Sequence, residues 1–394
     1  MNNNNIKLTK GLILLMAITS GLTIASTCYN QPLLGLMAKD FNVSRENIGL
    51  VATLTQLGYG FGMLFLIPLG DIKERKSLIL KVLTLSAIAL VLVSVSMNFY
   101  WLLVASFLLG FSSIITQLLV PFAASIAKPD RRGKVIGTII SGLITGILSA
   151  RVVSGFVGPR LGWRAVYIIS IFLITILTLT LKRFLPTSKA NSKDRYIDIM
   201  KSLVGIIKNN PVVRSSSIIG PCIFASFQLF WTSIVFYLDS PVYNLGSEVA
   251  GLFSLVGIVG VFLVPYMGTL SDKKSPRFAI GVSATLAFMS FVILYLFGSY
   301  LIGLIIGVTI LDFSVNSSQV SNQARINAID SPARNRFNSI FMSCYFFVGS
   351  LGSFLGSYSY NKHGWTGVCV AGFILVSIAI ITHFTLGRQR YKGV

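Results

Sequence analysis

Pro68-Leu69-Gly70-Asp71-Ile72-Lys73-Glu74-Arg75-Lys76 has an echo in Gly268-Thr269-Leu270-Ser271-Asp272-Lys273-Lys274-Ser275-Pro276-Arg277. In both, a glycine and an aspartate lead into a basic cluster, and both follow a long apolar run. Asp71 and Asp272 stand 201 positions apart, about half of the 394-residue chain. A polar turn that recurs at this spacing, in the same place relative to its apolar neighbours, marks an internal duplication.

The apolar runs show what was duplicated. Hydrophobic residues make up 54% of the chain and charged ones 11%, with a mean hydropathy of +0.77, which does not fit an ordinary soluble domain. A helix that crosses a bilayer takes roughly 20 apolar residues. Runs of that kind fall at about 11–37, 47–68, 77–97, 99–127, 134–158, 164–185, 214–240, 247–269, 277–297, 300–324, 335–360 and 364–386. The quoted turn follows the second run and its echo the eighth, so the repeated unit holds six helices. The expected fold is an all-α membrane protein of twelve transmembrane helices in two pseudo-symmetric six-helix bundles, 1–185 and 214–394. A polar, basic linker at 186–213 joins them.

A net charge of +21 could point to nucleic acid, but the distribution of the charge excludes that reading. Most of the 33 Lys and Arg fall in the turns on one side of the twelve runs and in the linker, as cytoplasmic loops require. Both termini are therefore expected in the cytoplasm. The first run is longer than a signal-peptide core and lacks a clear small-residue cleavage site, so it reads as the first span. Cys28, Cys222, Cys344 and Cys369 lie in four separate spans without C-x-x-C or Cys/His spacing, which makes them packing residues.

The turn after the second span resembles the signature of the major facilitator superfamily, G-x-x-x-D-R-x-G-R-R. Asp71, Lys73, Arg75 and Lys76 match its charged part, with Leu66 or Ile67 at the first glycine and Glu74 at the second. The resemblance implies two rocking halves around a midplane site, with Gly70, Asp71, Arg75, Lys76, Gly268, Asp272 and Arg277 as a conformational latch. In the fifth span Gly142 and Gly146 resemble the first glycines of the antiporter motif G-x-x-x-G-P-x-x-G-G, while Ile147, Ala150 and Arg151 depart from it. Ser106 stands where many proton-coupled members carry arginine. From Leu311 to Gly367 the chain resembles the arabinose-efflux-like bacterial branch, through an aspartate and amide-rich tenth helix, Asn322-Gln323, a basic loop and Gly364-Trp365.

Within the spans, polar residues single themselves out because lipid offers them no partner. In the tenth span Asp312, Asn316, Gln319 and Gln323 recur at intervals of four, three and four, which stacks them on one helix face. Asp312 has no Lys or Arg beside it on its own helix and is the candidate proton carrier. Asn316 and Gln319 are candidates for cargo contact, and Asn322 and Gln323 for bonding between helices. Further cavity candidates are Tyr29 and Asn30 at the end of the first span, Gln56 and Tyr59 in the second, and Gln117 in the fourth. Gln228 and Trp231 in the seventh and Tyr345 in the eleventh complete them. An arginine at membrane depth costs roughly 2.5 to 3.5 kcal/mol or more, so Arg151 is expected either to bind neighbouring helices or to face the cavity and attract an anion. Helix rise places Arg151 and Asp312 about 13 Å apart in depth, so a direct pair is not expected.

There is no nucleotide-binding loop, and His363 and His383 form no catalytic or metal cluster. The expectation is a secondary transporter of the bacterial inner membrane, neither an enzyme nor a channel, that works by alternating access. It is expected to export a small amphipathic compound or drug in exchange for protons. The alternative is uptake or facilitated passage of an anionic metabolite without proton coupling. Expected partners are the small-molecule substrate, protons and the bilayer, with no nucleic acid, metal or cofactor. The expected state is a monomer.

Overall fold

A computed structural model describes residues 9–128, 131–187, 195–245, 247–329 and 334–386. The side chains at 71, 247, 254, 258–265, 268, 272, 334 and 335 lie outside that description. The described chain is helical: α1 (Lys10–Cys28), α2 (Asn30–Phe41), α3 (Arg45–Leu66), α4 (Leu69–Ile72), α5 (Arg75–Ser94), α6 (Phe99–Ser112), α7 (Ile115–Ile126), α8 (Arg132–Leu161) and α9 (Trp163–Phe184) come first. Then follow α10 (Tyr196–Asn209), α11 (Pro211–Leu238), α12 (Ser247–Lys273), α13 (Pro276–Phe297), α14 (Leu301–Asn327) and α15 (Arg334–Thr385).

Among the described residues ten helical stretches are long and apolar enough to cross a membrane, and the helices group into the twelve expected spans, six on each side of α10, with α12 and the second part of α15 making up the number. Two of the expected spans are each built from two helices. The first breaks between Cys28 and Asn30, because Pro32 has no N–H for the carbonyl of Cys28. The fourth breaks at 113–114, where Ser113 Oγ bonds to the carbonyl of Leu109 at 2.6 Å. The last two spans run through one another in α15, separated only by Gly364 at φ 59, ψ −151. Elsewhere the turns have ordinary causes. Ser44 caps α3 by accepting from Asn47 N at 3.2 Å, and Asn98 caps α6 by accepting from Trp101 N at 2.9 Å.

The linker contains a helix that the expectation of a polar connection did not include. In α10, Ile199 and Leu203 are buried and Lys201 and Lys208 exposed, an amphipathic pattern. Tyr196 donates to the carbonyl of Phe65 at 3.1 Å, and Arg336 donates to Ser202 Oγ at 3.1 Å. The linker helix thus ties α3 to α15 on the face that carries most of the basic residues, here called the basic face.

The two sets of six pack by the same scheme. In the first, α1 packs on α8, α3 on α6 and α5 on α9; in the second, the corresponding pairs are α11 on α15, α12 on α14 and α13 on α15. Two further pairs, α3 with α15 and α8 with α12, join the sets and are themselves related by the duplication. Glycine makes the tightest pairs possible: a Cβ on Gly142 or Gly146 would run into the backbone of Ala17 or Gly21, and one on Gly352 into that of Ala225. The outer surface is apolar, with Phe172, Ile176, Leu179, Ile302, Ile374 and Ile381 among the exposed side chains, as a lipid-facing belt requires.

Candidate functional site

Where α2 and α8 of the first half meet α11 and α12 of the second, and on α14 behind α12, charged and polar groups lie deep in an apolar bundle. Arg151, on α8, is 3% exposed. Its Nε donates to Oε1 of Gln31 at 2.8 Å, and its guanidinium carbon lies 3.9 Å from the centre of the Trp231 ring and 5.9 Å from that of Phe227. A cation stacked on an indole away from water gains about 2 kcal/mol. Arg151 therefore ties the first half to the second through an amide and a ring, with no carboxylate in contact.

Asp312, on α14, is 5% exposed, and its Oδ2 has no partner among the described residues. The carboxyl rests against the backbone of α12, where a Cβ on Gly257 would come within 3.0 Å of its Cγ. Arg151 acts on it electrostatically, yet among the described residues the pair does not form a salt bridge. The rest of the stripe turns to protein. Asn316 donates to the carbonyl of Asp312 at 2.8 Å, and Asn322 to that of Ser318 at 2.9 Å. Gln319 accepts from the Tyr345 hydroxyl at 3.5 Å, while Gln323 reaches Sδ of Met342 at 3.4 Å.

Tyr345 stacks on Phe224 at 4.0 Å and meets Phe346 edge-on, and Phe346 lies 4.2 Å from Tyr59 of the first half. An aromatic wall thus spans the contact between the halves. Tyr59 also bonds to Gln117. Asn30 donates to Thr55 at 3.1 Å; among the described residues its Oδ1, Gln228 Nε2 and Trp231 Nε1 are buried without a partner. Gln56 is 8% exposed on α3. Tyr29 points elsewhere: its hydroxyl accepts from Ser170 at 3.0 Å and its ring meets Tyr167 edge-on, both on α9.

On the basic face, a cavity of about 180 Å³ is lined by Gly70, Arg75, Gln117, Leu203, Arg336 and Met342, among others. Arg75 staples this rim, donating to the carbonyls of Gly70 at 3.2 Å and Pro121 at 3.3 Å and to Ser125 Oγ at 3.3 Å. Lys76 and Arg277 sit in the first turns of α5 and α13. The latch candidates Asp71, Gly268 and Asp272 fall among the side chains outside the description. On the opposite face the halves are bridged by Arg45 to Asp239 at 3.5 Å, Arg160 to Glu248 at 2.9 Å and Asn361 to Glu46 at 3.0 Å.

Sequence reasoning missed Gln31 as the partner of Arg151, Gly257 as the seat of Asp312, and Phe224, Phe227 and Phe346 as wall residues. Gln31 had a local signal in the polar cluster before Pro32. The phenylalanines had none, because an aromatic residue in an apolar run looks the same whether it faces lipid or a partner helix.

A helical membrane protein of two packed six-helix halves, with charge buried between them, is the architecture of a transporter. Residues 13–329 match the family model of the Major Facilitator Superfamily, and the chain belongs to that superfamily of membrane transporters. It is 36% identical over 381 residues to the uncharacterized transporter YgaY of Escherichia coli O157:H7, covering 97% of each. To a probable transporter of Streptomyces coelicolor it is 28% identical, covering 92% of this chain and 84% of that one. In three dimensions it resembles the nucleoside transporter NupG, with a TM-score of 0.77 at 15% identity over 95% of this chain and 98% of that one. It also resembles a bacterial homologue of the human lysosomal transporter Spinster in its inward-facing, unoccupied conformation, with a TM-score of 0.72 at 17% identity over 98% and 96%. At these identities the likeness is one of fold. The chain is a multi-pass transporter and not an enzyme.

Proposed function

We propose that the chain is a secondary transporter of the bacterial inner membrane that exports a small amphipathic compound in exchange for protons. The halves 1–185 and 214–394 rock about the contact between them, and both termini face the cytoplasm. The observation that carries this reading is Asp312, a carboxyl that is 5% exposed, has one oxygen without a partner among the described residues, and sits against α12, which itself packs on α8 of the other half. A carboxyl so placed can cycle its charge only by taking up and releasing a proton, and the aromatic wall beside the stripe offers an apolar body somewhere to lie.

Polar bridges on the face away from the basic loops, with a cavity on the basic face, suit a state closed to the outside. The linker helix α10, tied to both α3 and α15, follows any rocking of one half against the other. In proteoliposomes carrying a pH-sensitive dye, a panel of amphipathic compounds should include one whose flux moves protons, and Asp312→Asn should abolish that proton movement in protein that still purifies as a single species. Flux in that variant with unchanged proton movement would overturn the assignment.

Arg151 favours a second reading, uptake of an anionic metabolite without proton coupling. It predicts pH-independent flux that survives Asp312→Asn and is lost in Arg151→Ala.

A further inference from the structure

The hydrogen-bonding capacity of Arg151 is only partly used. Gln31 takes the Nε–H and Trp231 covers one face of the guanidinium. No acceptor among the described residues bonds to either Nη group, although the side chain is 3% exposed. An uncompensated charge so deep costs several kcal/mol, and the nearby carboxylate of Asp312 does not close on it as a salt bridge. The neighbouring groups of the second half are also donors in want of acceptors. Trp231 Nε1 and, one helical turn away on α11, Gln228 Nε2 are buried with no partner among the described residues. Around them Phe227 lies 6.1 Å from Trp231 and Phe224 6.0 Å from Phe227, ring centre to ring centre.

We infer that the cargo is a small organic anion with an apolar or aromatic body, whose acidic head docks on the Nη pair of Arg151 between the two halves. This deepens the transport reading and rests on it. A guanidinium offers its donors in a planar fork that matches carboxylate, sulfonate or phosphonate oxygens. Trp231 and Gln228 supply further N–H groups from the other half, so one anion would take hydrogen bonds from both sides of the contact. A cationic cargo would meet a buried positive charge and lose by it. The phenylalanines of α11 would receive the body.

The test is thermal stability of the purified full-length chain in detergent, titrated with benzoate, benzenesulfonate and phenylphosphonate. Benzyl alcohol, benzylamine and chloride serve as the neutral, cationic and inorganic counterparts. Saturable stabilisation by at least one of the three acids is expected, with none from the counterparts. Arg151→Gln should abolish it. Trp231→Phe, which keeps a ring under the guanidinium and removes one donor, should weaken it about tenfold. If Arg151→Gln does not fold, Arg151→Lys keeps the charge without the fork, and it too should bind at least about tenfold more weakly.

Stabilisation by none of the acids, equal stabilisation by chloride or benzylamine, or unchanged affinity in the Arg151 and Trp231 variants would overturn the inference. The titration uses no proton gradient, so its failure is separate from that of proton exchange: an acid that binds while flux ignores pH would sink the exchange and leave the anion site standing.

Discussion

Arg151 and Asp312 are the two residues that an apolar bundle has least reason to hold, and the structure treats them differently. The arginine is anchored by an amide and a ring from opposite halves, whereas the aspartate is placed by the lack of a side chain on Gly257. That makes Gly257 a residue-scale test of the proton-carrier proposal. Gly257→Val adds atoms where a Cβ alone would already lie 3.0 Å from the carboxyl carbon, tighter than ordinary packing. Overpacking of this kind costs about 1–3 kcal/mol. The expected outcome is a Tm lowered by a few degrees in detergent and proton movement lost to the same extent as in Asp312→Asn. Wild-type proton movement in Gly257→Val would show that the carboxyl needs no fixed seat. Both charged residues stood out in the sequence because charge at membrane depth is rare for energetic reasons; their partners did not, since Gln31 lies 120 positions from Arg151.

At the scale of the element, the duplication extends to two turns that are not part of the basic signature. Gly162-Trp163 and Gly364-Trp365 both close the turn between the last two spans of their half, at φ 83 and φ 59. Both tryptophans then donate from Nε1, Trp163 to Asp40 at 3.0 Å and Trp365 to the carbonyl of Leu294 at 2.9 Å. At ψ 151 and −151 both glycines sit in an extended, positive-φ region that only glycine enters freely, where an L side chain costs about 1–3 kcal/mol, so Gly162→Ala and Gly364→Ala should each destabilise by that amount, measured by thermal or denaturant unfolding in micelles. Open space surrounds both Cβ positions, so the cost comes from the backbone, and Asn should be tolerated no better than Ala, because ψ of 151 and −151 lies outside the left-handed helical well that asparagine favours. A pair of alanine variants as stable as wild type would contradict this. The helix α10 was also legible in principle: Tyr196, Ile199, Met200 and Leu203 follow the helical period, but its polar flanks made the whole segment look like a connection. The breaks at 29 and 113–114 were harder to read, because a bent span keeps the hydropathy of a straight one.

On the scale of the whole molecule, the face opposite the basic loops is held by bridges that are half exposed, with side-chain exposures of 45% and 53% for Arg45 and Asp239 and 56% and 40% for Arg160 and Glu248. Exposed pairs are worth about 0–1 kcal/mol each, enough to bias a conformational equilibrium and too little to freeze it. Replacing Arg45 and Arg160 by alanine should raise the population open on that face by up to about fivefold per bridge. Spin labels at Ser44→Cys and Val242→Cys, on the turns that precede α3 and α12, would report it as growth of a longer-distance population. High salt should produce a weaker form of the same shift in the wild type. A distance distribution unchanged by both substitutions and by salt would mean that the other contacts, Asn361 with Glu46 and α8 with α12, hold this face without the two arginine bridges.

Hydropathy, the placement of the basic residues and the repeated turn were enough to give the class of the protein, its crossings and its duplication. These depend on the transfer of each segment from water to lipid, a property summed along the chain. The sequence also marked which residues were out of place in lipid. Only the tertiary structure decided which of them meet: that Arg151 goes to Gln31 and Trp231, that Tyr29 turns to α9, and that Tyr345 and Tyr59 sit in one wall. Those outcomes depend on how α3 pairs with α15 and α8 with α12, contacts between distant segments that are fixed by the close fit of small and aromatic side chains and that leave no periodic trace in either segment alone.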